Sequence, residues 1–145
     1  MRSLGKAVRI LRNGVPHWTH DMRSPILCVM HEVGIMESAL DAIRHQAVKH
    51  GATRVSRIVL RIGTLAGVDH DALRFAYDAL SPSSIAAGAV LEIESVPARA
   101  HCAACATEFG VERGFIFQCP QCGEYSGDIR AGRELGIARL EFPDL

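Results

Sequence analysis

The chain has 145 residues, which is enough for one compact domain or for a small domain that carries a smaller metal-stapled one. Hydrophobic residues make up 48% of it, but no apolar run reaches the roughly 18 residues of a membrane helix, so we expect no membrane partner. Residues 1–29 hold five of the 16 basic residues and one of the 16 acidic residues, and the acidic remainder argues against nucleic acid as a partner.

The first 29 residues show no sustained period. Leu4, Val8 and Leu11 allow at most one short helix, and the segment lacks the continuous apolar stretch of a signal peptide. We expect residues 1–29 to be a disordered tail or a stretch upstream of the true start. Without export, the chain is expected in the reducing cytoplasm, where cysteines remain thiols or bind metals.

A regular pattern begins at Gly34. Apolar side chains recur at helical spacing as far as Ala47, and Gly51 stands where a left-handed C-cap belongs. Residues 54–62 then alternate in the manner of a half-buried strand. This part of the chain therefore predicts one amphipathic helix followed by one strand.

A second helix is predicted after Asp69, a suitable N-cap, and it ends at Ser81 because a proline follows. Its apolar face is expected to consist of Leu73, Ala76, Tyr77 and Leu80. Residues 89–96 alternate as a strand, and residues 134–142 form the last one.

The predicted fold class is α+β: a small three-stranded sheet with two helices and an inserted zinc-ribbon-like domain. The insert lies between the last two predicted strands, at residues 99–131. Residues 30–98 and 132–145 are expected to form the other domain.

Four cysteines within the insert follow the pattern C-x2-C-x13-C-x2-C. Each C-x2-C turn directs two sulfurs toward one ion, and two such turns supply the four thiolates of a tetrahedral zinc site. We expect this zinc to be structural, because protein thiolates fill all four positions. The predicted ligands are Cys102, Cys105, Cys119 and Cys122.

Other assignments of the cysteines remain open. The four could be reduced core thiols, or they could hold iron in a rubredoxin-like or iron–sulfur centre. Cys28 is expected to be a lone thiol rather than a fifth ligand. His101 is expected to be a surface histidine, with a supporting bond to the site as the alternative.

The tripeptide Met30-His31-Glu32 precedes the first helix. Such residues are usually only solvated polar groups at the start of a helix. If Met30 is the first residue, however, its α-amine, the His31 amide nitrogen and the His31 imidazole can chelate one ion, and Glu32 can supply a fourth donor. Planar, nitrogen-rich coordination favours Ni(II) or Cu(II).

From residue 30 onward the chain resembles the HypA/HybF family of hydrogenase nickel incorporation proteins. The resemblance rests on the MHE tripeptide, the two C-x2-C motifs and shorter matches in the helices and strands: Met36-Glu37, Val59, Arg61-Ile62-Gly63, Leu65, Phe75, Leu91-Glu92-Ile93, Pro97 and Gly132-Arg133-Glu134-Leu135.

The resemblance implies a two-domain nickel metallochaperone that is not an enzyme. Transferable nickel would bind at His31, and structural zinc at the four cysteines. The implied partners are the large subunit of nickel–iron (NiFe) hydrogenase and a HypB-type GTPase, and some members also serve urease, which adds urease accessory proteins.

The chain departs from the family pattern because 29 residues precede the MHE motif, which the family carries at its N-terminus. We therefore expect the natural chain to start at Met30. If residues 1–29 are retained, His31 should bind nickel more weakly, through its imidazole together with Glu32 or water.

The alternative function is a zinc-ribbon nucleic-acid-binding or adaptor module. Residues 98–131 argue against it, because they carry three arginines and four acidic residues and so offer no basic stripe. An enzyme is not expected, since no nucleophile stands at motif spacing from a base and no glycine loop could cradle a phosphate.

Overall fold

The computed structural model describes residues 6–9, 30–111 and 117–144. These described residues contain helices α1 and α2, a 3-10 turn directly after α2, and seven strands. The helices are α1 Met30–Lys49 and α2 His70–Leu80, and the turn is Ser81–Ser83. The strands are β1 Lys6–Arg9, β2 Arg57–Gly63, β3 Val90–Val96, β4 Arg99–Cys102, β5 Thr107–Gly110, β6 Ile129–Ala131 and β7 Leu135–Phe142.

The strands form two sheets. One has the order β1-β7-β2-β3, and the other has the order β5-β4-β6. Strand β1 is antiparallel to β7, with Lys6 opposite Phe142 and Arg9 opposite Arg139. In the second sheet, β4 pairs antiparallel with both of its neighbours.

The chain divides into two compact units. Within the described residues, the first unit holds both helices, and the second holds the four cysteines with strands β4, β5 and β6. Their bounds are 1–60, 68–93 and 136–145 for the first unit, and 61–67 and 94–135 for the second. The second unit therefore contains the predicted insert, 99–131, together with flanking residues on both sides.

The core of the first unit is made of side chains from its helices and its strands. Helix α1 buries one stripe, which includes Met36 and Ile43, and α2 buries Leu73. Strand β7 contributes Leu140 and Phe142, both with no exposed surface. Burial of these apolar side chains stabilises the unit, at about 1.5–3 kcal/mol for each large one.

Most of the predicted elements are confirmed. The class is α+β, both helices are present, and the three predicted strands are β2, β3 and β7. Helix α1 begins at Met30 rather than near Gly34, so the MHE tripeptide is its first turn. Gly51 has the expected positive φ of 71°.

Two features differ from the predictions. Strand β1 adds a fourth strand to the sheet, in a segment where the sequence allowed at most a short helix. The edge of β7 explains the difference, because its backbone groups need partners that β1 supplies. Strand β2 is also more buried than predicted, since Val59 is covered as well as Ile58 and Leu60.

Two glycines in the second unit approach each other closely. The Gly63 N–H donates to the Glu134 carbonyl oxygen at 2.7 Å, and the Leu65 N–H donates to the Gly132 carbonyl oxygen at 2.7 Å. Gly132 has a φ of 110°, which L side chains rarely adopt. A Cβ on Gly63 would lie 1.9 Å from the Gly132 carbonyl oxygen, so only glycine fits there.

Across the described residues, none of the helices is both long and apolar enough to cross a bilayer.

Candidate metal sites

The four predicted cysteines lie together. Their sulfur atoms are all within 4.8 Å of one another, and the Cys102 and Cys122 sulfurs are 3.5 Å apart. A zinc–sulfur distance of about 2.3 Å in a tetrahedron requires sulfurs roughly 3.8 Å apart. The donor set therefore fits a four-thiolate zinc ion, and no side chain has to move far to hold one.

Two tight turns present these sulfurs. Cys102 ends β4, and the turn that contains Cys105 leads into β5 through Ala106, whose φ is 53°. In the second turn, the Gly123 N–H donates to the Cys119 carbonyl oxygen at 2.9 Å, with a Gly123 φ of 76°. Positive φ values let each turn fold back tightly enough to bring its two sulfurs to one point.

Three of the four cysteines also belong to the apolar cluster of this module. Cys102 and Cys119 are buried with Ala100 and Phe109, and Val111, Phe117 and Cys105 pack against them. So small a cluster buries little apolar surface. Metal binding must therefore supply much of the folding free energy of the module.

The thiols of the cluster are not equivalent. The pKa of Cys119 is lowered to about 7, because the backbone N–H groups of Cys122 and Gln121 donate to its sulfur. The pKa of Cys105 is raised to about 12, because its thiol bonds to the Cys122 sulfur and burial adds to the effect. Crowded thiols cannot all ionise without a cation among them, which again points to a metal.

His101 lies on the other face of β4 from Cys102, because side chains alternate along a strand. Its Nδ1 is 3.6 Å from Asp128 Oδ2, and its backbone N–H donates to the Asp128 carbonyl oxygen at 2.8 Å. His101 therefore contacts Asp128, which directly precedes β6, rather than the cysteine sulfurs.

The other predicted site residue, His31, lies in the first turn of α1 in the first unit. Its side chain is half-buried. The neighbouring Glu32, considered as a donor in the sequence, is only 6% exposed, and its Oε1 accepts a hydrogen bond from the Asp69 N–H at 3.2 Å. Cys28 lies outside the described residues.

The link between Glu32 and Asp69 is the main feature of this region that the sequence did not reveal. Asp69 was predicted as the N-cap of α2, and the structure confirms it: the Ala72 N–H donates to Asp69 Oδ1 at 3.0 Å. A capping box usually has Glu or Gln at the position of Ala72. Ala72 has no side-chain acceptor for the Asp69 N–H, and this is the one local sign that an acceptor from elsewhere in the chain has room to bond there.

A compact α+β unit, together with a unit closed by four cysteines, defines a small metal-binding protein with a zinc-ribbon-like part. Residues 30–142 match the family model described as "Hydrogenase/urease nickel incorporation, metallochaperone, hypA", and the chain belongs to this family.

Similar proteins agree with this assignment. The hydrogenase maturation factor HypA of Roseiflexus sp. (strain RS-1) is 41% identical over 115 residues, which is 79% of this chain and 94% of that protein. The hydrogenase maturation factor HypA of Azoarcus sp. (strain BH72) is 39% identical over 115 residues, 79% of this chain and all of that protein.

Among solved structures, the fold is similar to the solution structure of the Ni metallochaperone HypA from Helicobacter pylori. The TM-score is 0.56 at 21% identity, and the match covers 77% of this chain and 96% of that one. The resemblance inferred from the sequence is therefore confirmed. The protein belongs to the hydrogenase/urease nickel incorporation metallochaperones, and its described residues include a four-cysteine group that could hold a metal ion.

Proposed function

We propose that this chain binds one Ni(II) ion at His31 and passes it to the large subunit of a NiFe hydrogenase. In this proposal it acts in the cytoplasm, together with a HypB-type GTPase, and catalyses no reaction itself. Urease accessory proteins are further candidate partners, because the family description includes urease. The observation that carries the proposal is the position of His31 in the first turn of a helix, within the segment that matches the nickel incorporation family.

The start of a helix suits a chelate that uses backbone nitrogen. The first four N–H groups of an α-helix have no carbonyl partner within the helix. Because His31 is the second residue of α1, its amide nitrogen can bind a metal without breaking a helical hydrogen bond. Its imidazole adds a second nitrogen, and a free amine at Met30 would add a third. Few nitrogen donors in the first turn would let the ion be surrendered to a partner.

The four cysteines are assigned to zinc in the same proposal. Thiolates fill a tetrahedral shell and leave no position for a substrate, so this site keeps the module folded and does not take part in delivery. We propose that the zinc module docks a protein partner. Within residues 99–131, the two arginines that the structure describes are already engaged: Arg99 Nε lies 3.3 Å from Glu108 Oε2, and Arg130 forms two 2.8 Å bonds to Asp128. This pairing disfavours phosphate binding.

Calorimetry with two histidine variants tests the nickel site. In the chain starting at Met30, replacement of His31 by Ala should abolish the binding of one nickel ion and leave the zinc content unchanged. The matched control is His45→Ala. His45 is also on α1 and is exposed, and among the described residues it bonds only to the carbonyl oxygen and carboxylate of Asp41, on its own helix. The control should bind nickel as the unsubstituted chain does.

Two outcomes would contradict the proposal. Unchanged nickel binding in the His31 variant would refute the assignment of the site. Loss of nickel from a Cys102→Ala variant whose first unit still unfolds normally would place the transferable ion at the cysteines instead. Hydrogenase activity in cells that carry the His31 variant would test delivery, and full activity without added nickel would refute it.

A further inference from the structure

Glu32 is a buried carboxylate to which the proposed nickel chelate gives no role. It is 6% exposed, and together with Ser81 it is one of two buried polar or charged residues in the described part of the chain. Burial of a carboxylate is unfavourable unless hydrogen bonds compensate it. The bond that Glu32 accepts at Oε1 comes from the backbone N–H of Asp69.

This bond completes the cap of the other helix. Asp69 is the N-cap of α2, and its Oδ1 accepts from the N–H of Ala72, three residues later. In a capping box, the side chain at that third position bonds back to the N–H of the N-cap residue. Ala72 has no polar atom to do so. Glu32 accepts the bond in its place, from the first turn of α1.

We infer that Glu32 is a positioning residue, which fixes the first turn of α1 for chelation by His31 and contributes no carboxylate to the ion. The inference rests on the proposed nickel site at His31. Helix ends fray, and an orderly first turn removes part of the ordering cost of binding. Glu32 cannot turn toward the ion without leaving the Asp69 N–H unpaired, so its present bond opposes a role as ligand.

Four variants of the zinc-loaded chain starting at Met30 test the inference: Glu32→Gln, Glu32→Ala, Ala72→Gln and the double variant Glu32→Ala/Ala72→Gln. Glutamine at position 32 keeps an acceptor oxygen, so Glu32→Gln should bind nickel as the unsubstituted chain does, with the same visible absorption and circular dichroism bands of bound Ni(II). Glu32→Ala should weaken nickel binding roughly five- to tenfold, the usual effect of losing one capping bond.

The Ala72→Gln change separates positioning from stability. A glutamine at the third position of α2 can bond back to the Asp69 N–H and rebuild the capping box within one helix. The double variant should therefore recover the melting temperature lost in Glu32→Ala but not the nickel affinity. Ala72→Gln alone should change neither the melting temperature nor the affinity appreciably, because Glu32 already caps Asp69.

Each contrary result has a distinct meaning. Glu32→Gln binding as weakly as Glu32→Ala would overturn the inference, because the charge or direct ligation would then matter. Recovery of both properties in the double variant would also overturn it, since Glu32 would act only through stability. Unchanged nickel affinity in Glu32→Ala would do the same while leaving His31 as the site. If instead His31→Ala and the unsubstituted chain bind nickel equally, the proposed function fails, and the inference fails with it.

Discussion

Because Gly63 lies so close to Gly132, we expect Gly63→Ala to lower the stability of the second unit strongly. A methyl group at position 63 would be built 1.9 Å from the carbonyl oxygen of Gly132, 2.1 Å from its carbonyl carbon and 2.6 Å from the Arg133 nitrogen. All three are backbone atoms, so no side chain can rotate away. The backbone at residues 132–134 must move instead.

The cost follows from what that movement breaks. Two backbone hydrogen bonds of 2.7 Å join the chain around Gly63 to the stretch that leads into β7. Each is worth about 1 kcal/mol net. The forced displacement adds about 1–3 kcal/mol, as for an overpacked core. The expected loss is about 3–5 kcal/mol, a large part of the 5–15 kcal/mol that usually separates folded from unfolded protein.

Thermal unfolding of the zinc-loaded chain by circular dichroism measures this loss. For a chain of this size the melting temperature should fall by about 12–20 °C, at about 4 °C per kcal/mol. Gly136→Ala is the control, because Gly136 lies in β7 and a Cβ there meets no atom within 4 Å. It should be neutral or stabilising by up to about 1 kcal/mol. A Gly63→Ala variant that melts within about 2 °C of the parent chain would refute the reasoning.

The remaining predictions concern ionisation and the N-terminal strand. The hydroxyl of Thr53 and then its backbone N–H donate hydrogen bonds to Asp144 and lower the pKa of this carboxyl below its ordinary 3.8. Asp144→Asn should therefore lower the melting temperature at neutral pH. The difference in melting temperature between the variant and the parent chain should vanish as the pH falls through the lowered pKa. Compared with the full chain, a chain of residues 30–145 should melt at a lower temperature, because β7 loses its partner β1. It should bind nickel more tightly in calorimetry, because the α-amine of Met30 is then a free donor. Equal nickel affinity of the two chains would exclude the amine as a donor.

Local patterns account for what the sequence predicted well. The two C-x2-C turns depend on residues three apart, and the structure brings all four sulfurs together. The N-cap of α2 depends on Asp69 and the three residues after it, and it forms as expected. Helical periodicity located both helices, although it missed the first turn of α1, where the polar residues His31 and Glu32 interrupt the apolar stripe.

The features that the sequence did not predict depend on residues far apart in the chain. Strand β1 has four residues and no detectable period, and it exists because the edge of β7 accepts it. The bond between Glu32 and Asp69 joins residues 37 positions apart. The fit of Gly63 against Gly132 is likewise invisible until the two segments meet. In each case a residue or strand contacts a distant segment of the chain, and the local sequence pattern around it does not indicate which segment that is.

The difference between the two proposed sites follows from the donors that each can offer. Four thiolates surround an ion completely, and backbone N–H groups that stabilise the charge of Cys119 make release by protonation harder. At the start of α1 the donors are few, and the positive end of the helix dipole opposes a cation. Because Glu32 stays bonded to Asp69, its carboxylate is not available as an anionic ligand that would raise the affinity for nickel. A buried cap that keeps this carboxylate away from the ion would therefore serve delivery in two ways: it orders the turn that binds, and it leaves the bound ion exchangeable.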